Sequence, residues 1–408
     1  MLAYYIQTLN PFIWQWGHSN FGIRWYGTAY LTGFIIAYWL MKRFIRTGRM
    51  ALPSEKLPDF VLFVAILGVL VGGRLGEAVL YRPHMFTTFS TTFPWWGLLM
   101  VQNGGMAAHG GILGVMVAVW VFARRGGYRF LNLLDCAAMV APIGLCFGRL
   151  ANFVNGELYG HRWHGPLAVQ FPTELIYQNQ PLDARIRHFA AGLAAHHPDL
   201  ARFMVQNPGP GMITYVSTRL QTQQHQLQAV LALHPRSEIL RLAASGHYPL
   251  LDRLRRQLPG WLSELRLEVG VRHLWKALHP HFHGPLPLAA RLRILNLARQ
   301  GNAFVIDQLR QILPPRIPSQ LIEAFLEGLM LFLICWFVGH RWRQAGRASA
   351  AFAIGYPIMR IIGEQFRMGD QPQLILGHWI SLGVIYSVPM LIAGLIFWIV
   401  VQSRYHDG

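Results

Sequence analysis

Apolar positions in this chain run on in long blocks rather than in short alternations or narrow helical stripes. Seven blocks hold roughly 20 mainly apolar residues each, at approximately 21–44, 59–80, 106–123, 134–154, 320–338, 349–367 and 380–401. Each is long enough to cross about 30 Å of hydrocarbon at about 1.5 Å per residue. Backbone polar groups cannot stay unpaired in lipid, so each block is expected to be helical. Gly68, Gly72, Gly73, Gly110, Gly111 and Gly114 suit close approach of another helix or of a ligand. Phe93, Trp95 and Trp96 read as an interfacial anchor before the third block. Residues 161–318 interrupt the pattern. Their Leu- and Arg-rich runs at 236–258 and 288–313 read as amphipathic helices broken by Pro-containing turns. Such a segment is either a solvated cap or a domain lying against an anionic membrane surface.

Composition agrees with a membrane protein. Of 408 residues, 53% are hydrophobic and 13% charged, against about 25% charged in an ordinary soluble protein. This excludes a disordered chain, an acidic tail and a typical cytosolic enzyme. The net charge of +18 matters through its placement. Lys42, Arg43, Arg46, Arg49, Lys56, Arg124, Arg125, Arg129, Arg341, Arg343 and Arg347 share one side of the seven-block pattern, and Arg404 follows the last block. On the other side, 1–20 and 368–379 carry no Lys or Arg, and 81–105 carry only Arg82. The positive-inside rule puts the N-terminus outside and the C-terminus in the cytoplasm. With Arg24 as the first cation, a cleaved signal peptide is not expected. The external 161–318 segment holds eighteen Lys+Arg and eight Asp+Glu. Facing away from the cytoplasm, it is not expected to meet nucleic acid. Cys136, Cys146 and Cys335 lie in apolar stretches without CxxC spacing, which argues against a disulfide framework and a zinc site. The alternating histidines His279, His281 and His283 are weak evidence for a metal. There is no internal repeat or low-complexity tract.

The candidate chemistry lies in polar residues inside the apolar blocks, where an ionised side chain costs about 2.5–3.5 kcal/mol on insertion scales. The fourth block ends in GRLANFVNGELYG, with Arg149, Asn152 and Gly156 on one helical face and Asn155 and Glu157 beside it. The sixth holds YPIMRIIGEQFR, where Arg360, Glu364 and Arg367 share a face. The third opens on NGGMAAHGGILG, setting His109 among glycines. Arg74 and Glu77, three apart in the second, read as a structural ion pair. Span directions bring Arg149, Arg360 and His109 to one depth near the outer leaflet. Two guanidiniums and an imidazole there suit a phosphate site with a nearby base, because the guanidinium fork makes paired, charge-assisted hydrogen bonds. Glu364 would orient Arg360, and Arg367, nearer its helix end, reads as snorkelling. HExxH, GxSG and GxxxxGK[ST] are absent. A lipid or metabolite transporter using the same arginines is the competing class; a base beside the phosphate clamp favours an enzyme.

These blocks resemble bacterial prolipoprotein diacylglyceryl transferases. The similarity is carried by RWYG at 24–27, HGGILG at 109–114, GRLANFVNGELYG at 148–160, PSQLIEAFLEG at 318–328 and RIIGEQFR at 360–367. It covers roughly 1–165 and 315–405. The resemblance implies an all-α polytopic inner-membrane enzyme of seven transmembrane helices, N-terminus periplasmic and C-terminus cytoplasmic. An enlarged, mainly helical periplasmic head would be inserted between helices 4 and 5. The expected organisation is 1–160 for helices 1–4, 161–318 for the basic head, and 319–408 for helices 5–7 with the tail. The implied reaction transfers the diacylglyceryl group of phosphatidylglycerol to the lipobox cysteine of a preprolipoprotein, releasing glycerol 1-phosphate. The implied partners are phosphatidylglycerol, the signal peptide with its lipobox, and the bilayer.

By the same resemblance the essential histidine falls on His109 and the essential arginines on Arg149 and Arg360. Signature positions match Tyr26, Asn152, Glu157, Gly160 and Glu364, and Gly110 and Asn155 join them as substrate-binding candidates. Three departures stand out: IPSQLIE with Ile317 and Ile322 where HPSQLYE is usual, SLGV with Val384 where SxGQ is common, and a longer head. The expected chemistry has His109 take the thiol proton, directly or through water, since a cysteine thiol with a pKa near 8.5 is mostly neutral. The thiolate displaces a phosphate ester at an sp3 glycerol carbon, and Arg149 and Arg360 stabilise the leaving phosphate. Asn152 and Tyr26 would hold the headgroup. No metal or organic cofactor is expected.

Overall fold

A computed structural model of the chain describes residues 4–15, 22–91, 94–100, 105–177, 288–368, 373–375 and 378–403. In chain order the first elements are β1 (Tyr5–Ile6), β2 (Phe12–Gln15), β3 (Gly22–Arg24), α1 (Trp25–Arg46), α2 (Ser54–Leu80), α3 (Ala108–Gly126) and α4 (Phe130–Asn155). There follow β4 (Val169–Gln170), α5 (Glu174–Tyr177), α6 (Leu288–Arg299), α7 (Ala303–Ile312), α8 (Ser319–Arg341), α9 (Arg347–Glu364), β5 (Gln373–Ile375), β6 (His378–Ile380) and α10 (Leu382–Ser403). Contacts divide the chain into two units, Met1–Leu9 with Trp163–Arg316, and Asn10–Arg162 with Ile317–Gly408.

Among the described residues the second unit holds seven long helices, α1–α4 and α8–α10, one at each expected apolar block. Four of them, α2, α4, α8 and α10, are long and apolar enough to cross a membrane. The sixth block fails that test because α9 itself carries Arg347, Arg360 and Glu364. Outward rows of large apolar side chains are repeated from helix to helix: Leu31, Ile35 and Trp39 on α1, Leu329, Leu333 and Phe337 on α8, Ile392, Ile396 and Ile399 on α10. Spaced at three or four residues, they form continuous apolar faces that water would not tolerate and lipid would. This is a multi-pass membrane protein.

The glycines noted between the second and third blocks serve helix packing. A Cβ on Gly72 would lie 2.7 Å from the Gly114 Cα, one on Gly76 2.4 Å from the Gly110 Cα, and one on Gly68 2.9 Å from the Val115 Cα. Backbone meets backbone along this seam, so α2 and α3 approach as larger residues could not allow. Two helices also contain wide, π-type turns, Val64–Val71 in α2 and Ala324–Met330 in α8. α4 stops at Gly156, whose φ of 68° is the left-handed cap that glycine favours. Asp135, in the first turns of α4, accepts from the backbone N–H groups of Gly346 (2.6 Å) and Ser349 (2.8 Å) and from the Ser349 hydroxyl (2.6 Å). It thus caps α9, whose own N-cap is Gly346.

Arg74 donates to the carbonyls of Gly97, Leu98, Met100 and Gly105 at 2.8–2.9 Å, which anchors their loop to α2. Glu77 receives Arg82 at 3.2 Å.

In the first unit β1 pairs in parallel with β4, and Val169 bridges to Arg316. The predicted 288–313 run forms α6 and α7, separated by a turn at Gly301 and capped by Asn302, whose Oδ1 accepts from the Val305 N–H at 3.0 Å. Phe171, Leu175, Ile294, Ala298, Val305 and Leu309 form its buried core. Arg316 and Glu174 make a buried, two-pronged ion pair beside it. The 236–258 run and the HPHFH histidines lie outside the described residues, as does Phe93.

Candidate active site

Helices α4, α8 and α9, with Arg367 just past the end of α9, bring six ionisable side chains into one buried cluster. Arg149 on α4 meets two carboxylates of α8: Glu327 through Nε (3.1 Å) and Nη2 (2.8 Å), and Glu323 through Nη1 (3.0 Å). Arg360 on α9 reaches the same pair, with Nη1 3.2 Å from both Glu323 and Glu327, and its Nη2 lies 3.0 Å from Glu364 one turn along. Arg367 lies 3.9 Å from Glu323 and is buried, so it does not snorkel. Space for the cluster comes from glycines. A Cβ on Gly383 would lie 3.0 Å from Glu364 and 3.1 Å from Arg360, and one on Gly363 3.3 Å from the Glu323 side chain.

Glu323 and Glu327 were not among the sequence candidates. Both stand inside the fifth apolar block, at a spacing of four, and the criterion that singled out Arg149 applies to them equally. They straddle the start of the wide turn at Ala324–Met330, a distortion frequent at functional positions. Three arginines and three glutamates leave the cluster formally neutral, but not symmetrically placed. The side chains of Glu323 and Glu327 are 0% exposed, whereas Arg149 and Arg360 keep 12% and 10%. The carboxylates hold the guanidiniums from beneath and leave their outer edges as the reachable part.

Next to this cluster stands His109, at the start of α3. It is buried, its ring edge-on to Tyr356 (centroids 6.0 Å apart) and Tyr386 (5.8 Å). Tyr356 precedes Arg360 by one turn of α9, which ties the imidazole to the charged cluster. The buried His109 Nε2 and Tyr356 hydroxyl have no hydrogen-bond partner among the described residues. The sequence reading had not singled out either tyrosine.

The signature loop after α4 forms a second polar layer. Glu157 Oε1 accepts from Asn152 Nδ2 at 2.7 Å and Asn155 Nδ2 at 3.2 Å. The loop is fastened to the start of α8 by Ser319 Oγ donating to Leu158 O (2.8 Å) and Gln320 Nε2 donating to Glu157 O. Gly160 N–H donates to Ile317 O at 2.8 Å. A Cβ there would collide with the Phe366 carbonyl, so a side chain at 160 would force these segments apart.

Beside Arg149, a cavity of about 370 Å³ opens among α1–α4, α9 and α10. Tyr26, Tyr30, Arg149, Asn152 and Ser349 are its polar lining; Phe34, Ile112, Val115, Leu145 and Phe352 are among its apolar walls. The rings of Tyr26 and Tyr30 meet at a tilt of 52°, with centroids 5.2 Å apart. Of the sequence candidates, Tyr26, Arg149 and Asn152 line the cavity, Arg360 and Glu364 lie in the ion-pair cluster, and Asn155, Glu157 and Gly160 build the loop. His109 stands apart from the cavity lining, although its neighbours Ala108 and Gly111 belong to it. Gly110 faces Gly76 and Gly72 in the helix seam. Among the described residues no group of three or more His, Cys, Asp or Glu could hold a metal ion.

A family model described as Prolipoprotein diacylglyceryl transferase matches residues 11–235 and 270–400. The Phosphatidylglycerol--prolipoprotein diacylglyceryl transferase of Bdellovibrio bacteriovorus is 31% identical over 394 residues, 94% of this chain and 90% of its own. Proteins of the same name from Legionella pneumophila (strain Corby) and Xylella fastidiosa (strain M12) are each 27% identical, covering 98% of this chain and 98% and 95% of theirs. The long insertion is therefore shared with these relatives, while 236–269 fall outside the family match. The chain belongs to the prolipoprotein diacylglyceryl transferase family of enzymes.

Proposed function

We propose that this transferase moves the diacylglyceryl group of phosphatidylglycerol onto the lipobox cysteine of preprolipoproteins, forming a thioether and releasing glycerol 1-phosphate. The observation that carries the reading is a largely apolar cavity with Arg149 at one wall, near an imidazole whose Nε2 has no hydrogen-bond partner among the described residues. An apolar volume ending in a guanidinium suits an amphiphile with a phosphate, and relatives of nearly the same length bear the name of this reaction.

In the reaction, His109 Nε2 takes the proton of the cysteine thiol. The thiolate attacks the glycerol carbon that bears the phosphate; the S–C bond forms as the C–O bond breaks, and its electrons leave on the phosphate. The proton passes from His109 to that phosphate or to water, which restores the neutral imidazole. Arg149 and Arg360 stabilise the charge gathering on the leaving oxygen. Held already by Glu323, Glu327 and Glu364, they need little reorganisation to do so. Asn152 and Tyr26 orient the headgroup; Asn155 and Glu157 brace Asn152, and Gly160 keeps the loop closed against α8 and α9. No metal or organic cofactor takes part.

The seven long helices are read as seven transmembrane spans of the bacterial inner membrane, with the cationic loops cytoplasmic and the N-terminus periplasmic. Residues 1–160 and 319–408 then form the membrane enzyme, and 161–318 a periplasmic head.

The test uses purified protein in micelles with phosphatidylglycerol and a lipobox peptide, beside a His109→Gln variant. Cysteine-dependent glycerol phosphate release with a diacylglyceryl mass gain on the peptide, both lost in the variant, is expected. Folded protein that yields neither product would overturn the assignment.

A further inference from the structure

A second concentration of cations lies far from the reactive cluster. From Glu323, α8 runs eighteen residues to Arg341, about 27 Å at the helical rise. There the ends of α1, α8, α9 and α10 meet. The Arg341 guanidinium sits 5.7 Å from the Trp342 ring centroid, and that of Arg347 sits 5.6 Å from Trp342 and 5.5 Å from Trp398. Arg49 closes the group by donating to the Gly339 and His340 carbonyls at the end of α8. Its proton affinity is lowered by burial first and by the charge of Arg343 second, so the cations here press on one another.

Among the described residues little negative charge answers them. Asp135 is the acidic side chain packed under this end, and its oxygens are taken by Gly346 and Ser349. Among the described residues, Arg43, Arg46, Arg341, Arg343 and Arg347 have neither ion pair nor side-chain hydrogen bond. Stacking on indole covers a guanidinium face and leaves its in-plane N–H groups free, the edge that grips a phosphate.

The surroundings favour a lipid over a soluble anion. Trp342 packs edge-on against Phe337 at 6.2 Å and 87°, and Phe337 is 63% exposed at the end of the outward apolar row of α8. The cationic edge and the lipid-facing surface thus adjoin at one residue. Lys42 over Trp39 and Arg124 over Trp120 repeat the cation–indole pairing on α1 and α3, a composition typical of the membrane–water boundary. We propose that Arg341, Arg343 and Arg347 bind the headgroup phosphate of an anionic phospholipid whose acyl chains lie along Phe337. This site is separate from the reactive cluster and does not rest on the transferase reading.

Native mass spectrometry of the full chain in detergent tests it, with dioleoyl phosphatidylserine as probe and dioleoyl phosphatidylcholine as control. The Arg341→Gln/Arg343→Gln/Arg347→Gln variant should bind the serine lipid at least about tenfold more weakly than the parent, and both should bind the choline lipid poorly. Equal retention of phosphatidylserine by the two chains would overturn the site. So would full displacement of the lipid by millimolar inorganic phosphate, which would make this a soluble-anion site. A second measurement needs no arginine change. Phosphatidylserine with brominated acyl chains should quench parent fluorescence more than it quenches Trp342→Phe, and brominated phosphatidylcholine should not distinguish the two. Identical quenching of both chains by the serine lipid counts against the proposal.

Discussion

Arg149 and Glu327 are joined twice on a single oxygen, Nε at 3.1 Å and Nη2 at 2.8 Å from Oε2, while the other oxygen of Glu327 lies 3.2 Å from Arg360. Glu327, together with Glu323, therefore sets the separation of the two arginines proposed to receive the phosphate. Removing one partner from a buried pair costs about 3–5 kcal/mol, because an uncompensated charge stays behind. Glu327→Gln keeps the shape and loses the charge. It should unfold at clearly lower denaturant and turn over far more slowly than the parent. Unchanged stability in a denaturant titration would show that Glu323 and Glu364 suffice to hold both arginines.

The arginines should not tolerate lysine. Arg149 uses Nε, Nη1 and Nη2 at once on two carboxylates, and a single ammonium cannot reproduce that fork. Arg149→Lys and Arg360→Lys are each expected to cut kcat/KM at least about a hundredfold, equivalent to about 2.7 kcal/mol of transition-state stabilisation. A steady-state assay of glycerol phosphate release measures this. Near-parental rates in either variant would remove the phosphate-fork role.

Much of this arrangement is legible in the chain, and the part that is not has a physical cause. Long apolar blocks place all seven long helices, since helical hydrogen bonding is the simplest way to satisfy a backbone in lipid. His109, Arg149 and Arg360 stand out for the same reason: each is costly where it sits. Glu323 and Glu327 are equally costly in an apolar block, but that they pair with Arg149 and Arg360 follows only from the packing of α8 against α4 and α9. Arg367 was misread for a different reason. Its place near a helix end suggests an escape to the interface, but its backbone bridges to Gly160 and its side chain is buried beside Glu323. Gly110 could be assigned to a ligand or to a helix neighbour from sequence; only the crossing of α2 and α3 puts Gly76 opposite it.

That crossing gives a prediction separating the two readings of Gly110. A Cβ there would lie 2.5 Å from the Gly76 Cα and 2.6 Å from the Gly72 carbonyl oxygen, with backbone on both sides. Overpacking of this kind costs about 1–3 kcal/mol. Gly110→Ala should lower Tm while leaving the KM for phosphatidylglycerol near the parental value. A raised KM with unchanged Tm would instead make Gly110 a ligand contact.

Asp135 links the cationic end of the helical unit to the reactive cluster along α9. Its carboxylate holds two N–H groups and a hydroxyl at the first turn of the helix that carries Arg360 and Glu364. Loss of a cap costs about 0.5–2 kcal/mol, and burial of the freed N–H groups places Asp135→Ala at the upper end of that range. Asp135→Asn keeps an acceptor oxygen and should recover part of the loss. Because Arg360 stands more than three turns away, the cap should affect stability before chemistry. Denaturant titration should therefore order the three chains parent, Asn and Ala, with kcat falling less than about threefold in either variant at a temperature where all are folded. A kcat loss as large as that of Arg360→Lys would mean that the position of α9 along its axis, not only its folding, is set by Asp135.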